Sequence, residues 1–247
     1  MRQTALSIVL ALAAASAAVP AAAQMTDPRL EAFKAACLPH RGDAFAAVAA
    51  LHGAGWTLIK PGDNATWDAL LVKRDAIMAA EALEDEPGEF AHEAVETAWT
   101  KDGYIVSLSR STTSIDWSGD GSLDDEDPWV HVGCNLYDFA ATSEIPVEAM
   151  TAWTASLPVQ SLSDAGMTGH TYNVFEMMRG TAEIQIAFVS PDSSYVEQFG
   201  FPGVAITMST SPEGMTEAKE EAPSDDLSDD DWMNDADDEY GASDWEE

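Results

Sequence analysis

The sequence predicts an α+β domain. Its mostly antiparallel sheet has about five or six strands, with helices packed on one face, one disulfide, and a disordered acidic C-terminal tail. Three observations carry this. Apolar residues recur at helical spacing early in the chain and switch to strict alternation later. Two glycine-containing turn signals, Asp102-Gly103 and Arg179-Gly180, separate alternating runs. The two cysteines each fall on the apolar stripe of their element, Cys37 on a helix and Cys134 on a strand.

Residues 1–23 read as an export signal. Met1-Arg2-Gln3 is a short basic start, Ala5 to Val19 is apolar, and Ala21-Ala22-Ala23 forms a small-residue cleavage site before Gln24. The apolar run is too short to span a bilayer comfortably, and Pro20 breaks it. No cysteine immediately follows the cleavage site and no twin arginine precedes it, and the short, alanine-rich form gives the bacterial periplasm or the exterior as the expected destination. Residues 24–210 then form a single α+β domain, and residues 211–247 the tail.

Asp27-Pro28 is a helix start, with Asp as N-cap and Pro in the first turn. Leu30, Phe33 and Cys37 share one face, and Pro39 ends that helix. A second helix begins near Asp43, buries Phe45, Val48 and Leu51, and stops at Gly53. Gly55 to Ile59 is a short strand or connector, and Pro61-Gly62-Asp63-Asn64 turns into a third helix, about Thr66 to Leu83, with Trp67, Leu70 and Leu71 on one side. Val95, Thr97 and Trp99 begin the alternation, and Asp102-Gly103 returns it through Tyr104, Val106 and Leu108. An acidic loop leads to Trp129–Phe139, where Val130, Val132, Cys134 and Leu136 alternate with Trp129, His131, Gly133, Asn135 and Tyr137. Pro146 opens a helix carrying Val147, Met150, Trp153 and Leu157, and a polar linker follows. Tyr172–Met178, Ala182–Val189 and Val204–Met208 are the remaining strands.

The 247-residue chain carries 11 basic and 44 acidic residues, a formal net charge of −33. From Glu217 onward fifteen acids face one base, so residues 217–247 hold −14 and residues 24–216 hold −20. So acidic a body excludes nucleic acid and anionic lipid as partners, since both require a basic footprint. It is compatible with a basic protein partner, a bound divalent metal, a saline habitat, or an acidic surface kept simply for solubility. The tail has few and isolated apolar residues, too little to offset the roughly 1–2 kcal/mol of backbone entropy that ordering each residue costs. Its Trp232, Tyr240 and Trp245 are spaced among acids, a composition suited either to docking on a basic, partly apolar surface or to a purely solubilising tail.

Phe33 and Cys37, the Gly55-Trp56 pair and the later Cys134 strand together resemble a pattern in small uncharacterised secreted proteins of alphaproteobacterial type. The resemblance covers about half of the mature chain. It implies export and a disulfide, and brings no activity. Two cysteines in an exported chain most often pair, so Cys37–Cys134 is the expected bridge, with two buried free thiols as the alternative.

No phosphate loop, nucleophile elbow or histidine pair at ligand spacing is present, and no catalytic residue is assigned. The outward side of the Cys134 strand offers either an aromatic platform for carbohydrate, made by Trp129, His131 and Tyr137, or a surface that a helix covers. The sharpest local motif is Asp116–Asp127, which resembles the calcium loop of EF-hands. Asp116, Ser118, Asp120, Asp124 and Asp127 occupy ligand positions and Gly121 the sharp turn. Trp117, a final Asp in place of Glu, and Pro128 depart from that pattern. The alternative is a solvated acidic connector.

The expectation is therefore an exported, non-enzymatic interaction or accessory protein. Two alternatives stand beside it: a calcium-dependent module using the Asp116–Asp127 loop, and a hydrolase with dispersed catalytic residues. Calcium is the one cofactor the residues suggest. If the loop binds it, millimolar calcium raises the melting temperature and Asp120→Ala abolishes the rise. A parent protein whose melting calcium leaves unmoved retains only the solvated connector.

Overall fold

The computed structural model describes residues 26–81, 90–115, 129–212 and 215. The first helix, α1 (Pro28–Cys37), starts where the sequence places it: the Asp27 carboxylate accepts from the Arg29 backbone N–H and Pro28 opens the first turn. Asp43 caps α2 (Ala44–Gly53) in the same way, accepting from Ala46 N–H. There follow β1 (Thr57–Leu58), α3 (Ala65–Glu81), β2 (Phe90–Lys101), β3 (Tyr104–Ile115), β4 (Trp129–Asp138), α4 (Val147–Thr154), β5 (Gln160–Asp164), β6 (Met167–Asn173), β7 (Thr181–Val189), α5 (Tyr195–Phe199) and β8 (Gly203–Thr210).

All strands join one eight-stranded antiparallel sheet in the order β1-β2-β3-β4-β8-β7-β6-β5. Two meanders, β1–β4 and β5–β8, thus meet at their last strands. The expected Asp102-Gly103 hairpin joins β2 and β3, with both residues at positive φ, 53° and 86°. The sheet exceeds the five or six strands expected. β1 is only two residues long, and β5 lies in the segment after Pro158 that reads as a polar linker, because all its residues are exposed and give no apolar alternation. β6 also begins earlier than expected and ends at Asn173, so Phe175–Met178 is a turn rather than strand.

One sheet face is apolar in rows. Val106, Leu136, Ile206 and Ile186 lie side by side across β3, β4, β8 and β7, and Leu108, Cys134, Met208 and Ile184 form the next row. Phe33, Cys37 and Leu51 from α1 and α2, and Ala149 and Met150 from α4, pack onto these rows. Cys37 and Cys134 are bonded, with Cα atoms 5.6 Å apart, and both are buried. Arg29 fixes the approach to α4. Its guanidinium donates to the Asp27 carboxylate and to the carbonyls of Ser143 (2.6 Å) and Glu144 (3.1 Å). Burial pushes the Asp27 pKa up, but the hydrogen bonds and charge of Arg29 outweigh it and hold the carboxyl below its ordinary value.

Helices are not confined to that face. Trp67 and Leu70 of α3 pack with Ile105, Tyr137 and Ala205, which point the other way. The expectation of helices on one face fails because Ile105, Tyr137 and Phe139 place a local apolar patch on the side that the alternation otherwise marks as polar. α3 carries the matching stripe.

The disulfide closes a separation of 97 residues. Replacing both cysteines by serine is expected to lower stability by about 4–5 kcal/mol in the chain-entropy account, measured as a shift in the urea midpoint. An unmoved midpoint would show that packing alone fixes α1 on β4.

Candidate binding surface

The face opposite the disulfide is divided into two halves. At the end where β4 finishes, the Tyr137 ring meets Trp67 edge-on (centroids 5.6 Å), with Phe139 and Phe201 completing the cluster at 5.6–6.0 Å. Aromatic rings in these tilted and edge-to-face arrangements add attraction beyond their buried area. Gly203 lets β8 approach the Asp138 carbonyl more closely than a Cβ allows, and its φ of 96° favours glycine.

Beyond this cluster the same face turns polar. Ser107, Asn135, Thr207, Gln185, Thr171 and Gln160 form one row across β3, β4, β8, β7, β6 and β5. Asn135 donates to the buried Ser107 hydroxyl at 3.0 Å. In the adjacent row Ser109 opposes Gly133, and its hydroxyl occupies the space where a side chain at Gly133 would stand, so the surface dips there. Two cavities of about 510 and 290 Å³ lie on this half and share Gln185 and Thr207, so they read as one trough. His131, Glu183 and Ser209 line one end, and Gln160, Leu162 and Gly169 the other. Among the described residues no lysine or arginine lines either cavity.

The boundary between the halves is charged. Arg74 of α3 donates to Glu96 of β2 at 2.6 Å. The Tyr137 hydroxyl lies behind this pair, and its pKa is pushed up to about 12, by burial first and then by the Glu96 charge. Arg74 and a hydrogen bond with Ser107 oppose the shift.

Of the two outcomes expected for the outward side of β4, the helix cover occurs, and only at one end. Tyr137 is buried beneath α3, His131 is half-buried in the trough, and Trp129 is 56% exposed at the start of the strand. The three side chains therefore form no continuous platform. The trough escapes sequence reasoning because its residues come from five strands and are individually ordinary. The alternation of β4 and β7 is the signal that places His131, Asn135 and Gln185 on one side.

The calcium-loop residues Asp116, Ser118, Asp120, Asp124 and Asp127, and the tail aromatics Trp232, Tyr240 and Trp245, lie outside the described residues. Among the described residues no three His, Cys, Asp or Glu side chains converge as a metal site. Among the described residues Ser161 Oγ lies 2.9 Å from His170 Nδ1, on the other face. It is exposed, whereas an activated nucleophile needs a base oriented by a third group. A separate cavity of about 250 Å³ between α1, α2 and the β2–β3 hairpin is lined by five alanines and Leu51, with Trp56 and Tyr104 beside them and His40, Lys101 and Asp102 at its rim. It has the character of a packing gap.

No helix among the described residues is long and apolar enough to cross a membrane. Comparison with protein-family models, curated proteins and solved structures finds no match for this chain. Fold and site therefore define it as an α+β protein of one antiparallel sheet with a half-covered polar face.

A tyrosine with a raised pKa binds its proton more tightly when folded, so its contribution is complete below the ordinary value of 10.0 and is lost as pH rises to about 12. Stability should fall across that window by on the order of 2–3 kcal/mol. Ultraviolet titration should show a late phenolate transition that Tyr137→Phe removes. Titration of every tyrosine near the ordinary value in the folded protein would refute this account.

Proposed function

We propose that this is an exported, non-enzymatic interaction protein whose trough, polar groups set among small apolar ones, binds a basic polypeptide segment. The observation that carries the proposal is the trough itself. It presents the Glu183 carboxylate with amide and hydroxyl groups from Gln160, Thr171, Gln185, Thr207 and Ser209, has no lysine or arginine among the described residues of its lining, and belongs to a chain of net charge −33. Amides and hydroxyls both donate and accept, which suits the alternating donors and acceptors of a peptide backbone. The carboxylate and the surrounding negative field suit lysine or arginine side chains, and steer them at low salt.

The dimensions agree with a short extended segment. From β4 to β5 the trough crosses four strand spacings, roughly 19 Å, the reach of about six extended residues. Export follows from the amino-terminal composition, and the Cys37–Cys134 bond is compatible with an oxidising compartment. The acidic tail, with Trp232, Tyr240 and Trp245, adds long-range attraction for the same partner.

Calorimetric titration with a lysine-rich peptide is expected to show binding that weakens steeply with salt. Glu183→Gln and Gln185→Ala should each weaken it by roughly tenfold, about 1.4 kcal/mol. Truncation after Met215 should reduce the salt dependence while leaving the Gln185 effect in place. Absence of binding at any salt concentration, or binding indifferent to both trough variants, would overturn the proposal.

A further inference from the structure

β5 closes one side of the sheet, and all five of its residues, Gln160-Ser161-Leu162-Ser163-Asp164, are exposed. Natural sheet edges are usually blunted by a charge, a proline, a bulge or brevity. At the opposite side β1 is two residues long, and β2 behind it carries Glu96. From Gln160 to Asp164 β5 pairs with β6 in unbroken register; the one irregularity lies just before it, where Val159 N–H also reaches the Thr171 carbonyl, and the centre of the strand, Ser161-Leu162-Ser163, carries neither charge nor proline. Leu162 is 49% exposed, and Leu157 and Val159 just before the strand are more exposed still. An edge with these properties is a template for another strand.

We propose that the partner of this edge is β5 of a second copy, giving a two-fold dimer in which two sheets continue as one. The strand sequence is self-complementary when read antiparallel about its middle residue. Leu162 then faces Leu162 of the second copy, Ser161 faces Ser163, and Gln160 faces Asp164. The two-residue turn Ala165-Gly166 makes Asp164–Met167 a hydrogen-bonded pair, so alternation directs Gln160 and Leu162 toward β6 as well. That leaves the N–H and C=O groups of Ser161 and Ser163 pointing off the edge. Across the two-fold these groups form about four backbone hydrogen bonds. The two leucines occupy the non-hydrogen-bonded position, where opposite side chains come closest.

The end pairs fit as well. The Asp164 carboxylate accepts from Tyr195 OH at 2.6 Å and from Ala165 N–H at 2.6 Å. A carboxylate has about four lone-pair sites, so each Asp164 retains room for the Gln160 amide of the other copy. Antiparallel pairing about an axis normal to the sheet keeps like faces together, so the two polar troughs would run into one another through Gln160 and Leu162. With −33 on each chain the copies repel at low ionic strength, and the dimer is expected to tighten as salt screens that charge.

The test is sedimentation velocity on the full mature chain at molar salt, over a wide concentration range. A reversible monomer–dimer equilibrium is expected. Leu162→Lys sets two like charges face to face and should weaken it roughly tenfold or more, whereas Gln160→Lys gains Asp164 as an ion partner and should tighten it. Both positions are exposed, so circular dichroism should show each variant folded. Under mild oxidation Leu162→Cys should form a covalent dimer faster than Gln160→Cys, because only the first meets its own copy. A chain monomeric at every concentration, a dimer indifferent to Leu162→Lys, or equal cross-linking at the two positions would overturn the proposal.

Discussion

The pairing of β4 with β8 is the constraint on which this structure depends. It joins residues 132–138 to residues 204–210 and thereby fuses two otherwise separate four-stranded meanders. Each meander alone is built from neighbours in sequence, and its ladders form at small entropic cost. The β4–β8 seam closes a loop of some seventy residues, for which hydrogen bonds alone are poor compensation. What offsets the loss is lateral. The seam aligns Leu136 with Ile206 and Cys134 with Met208, completing apolar rows that neither meander owns.

The disulfide acts on the same strand. Cys134 faces the apolar rows, so its bond to Cys37 anchors α1 over the middle of the sheet, while Arg29 at the helix start holds the Ser143–Glu144 loop that leads into α4. Two long-range ties therefore leave opposite ends of one ten-residue helix. The tie at Arg29 is polar and buried, with its guanidinium satisfied by a carboxylate and two carbonyls. Loss of the arginine alone would leave Asp27 buried without its counter-charge, a more damaging event than loss of an exposed ion pair such as Lys34–Glu31.

The opposite face shows how a small local departure from alternation organises a surface. Tyr137, Phe139 and Phe201 draw α3 onto one half, and the helix brings Arg74, which pairs with Glu96 at the border. The other half is left with small and polar side chains across strands of both meanders. A trough spanning the seam exists only when the two meanders are joined, so the surface proposed for binding is tied to the same pairing that completes the core.

The sequence by itself determined the local elements. The Asp27-Pro28 start, the Asp102-Gly103 turn, the β4 alternation and the apolar placement of Cys37 and Cys134 are each decided by chemistry within a few residues. The strand order, the edge strand β5, the use of both faces and the trough were decided by tertiary structure. β5 has no apolar period because its edge position buries neither side, so nothing in its own residues distinguishes it from a linker. Arg29 looks like a surface helix residue until the Ser143–Glu144 loop is brought against it. Gln185 and Thr207 become neighbours of Asn135 only through the β4–β8 and β7–β8 ladders. Periodicity records which side of an element is buried, whereas a site built across strands depends on which elements become neighbours, and long-range pairing sets that.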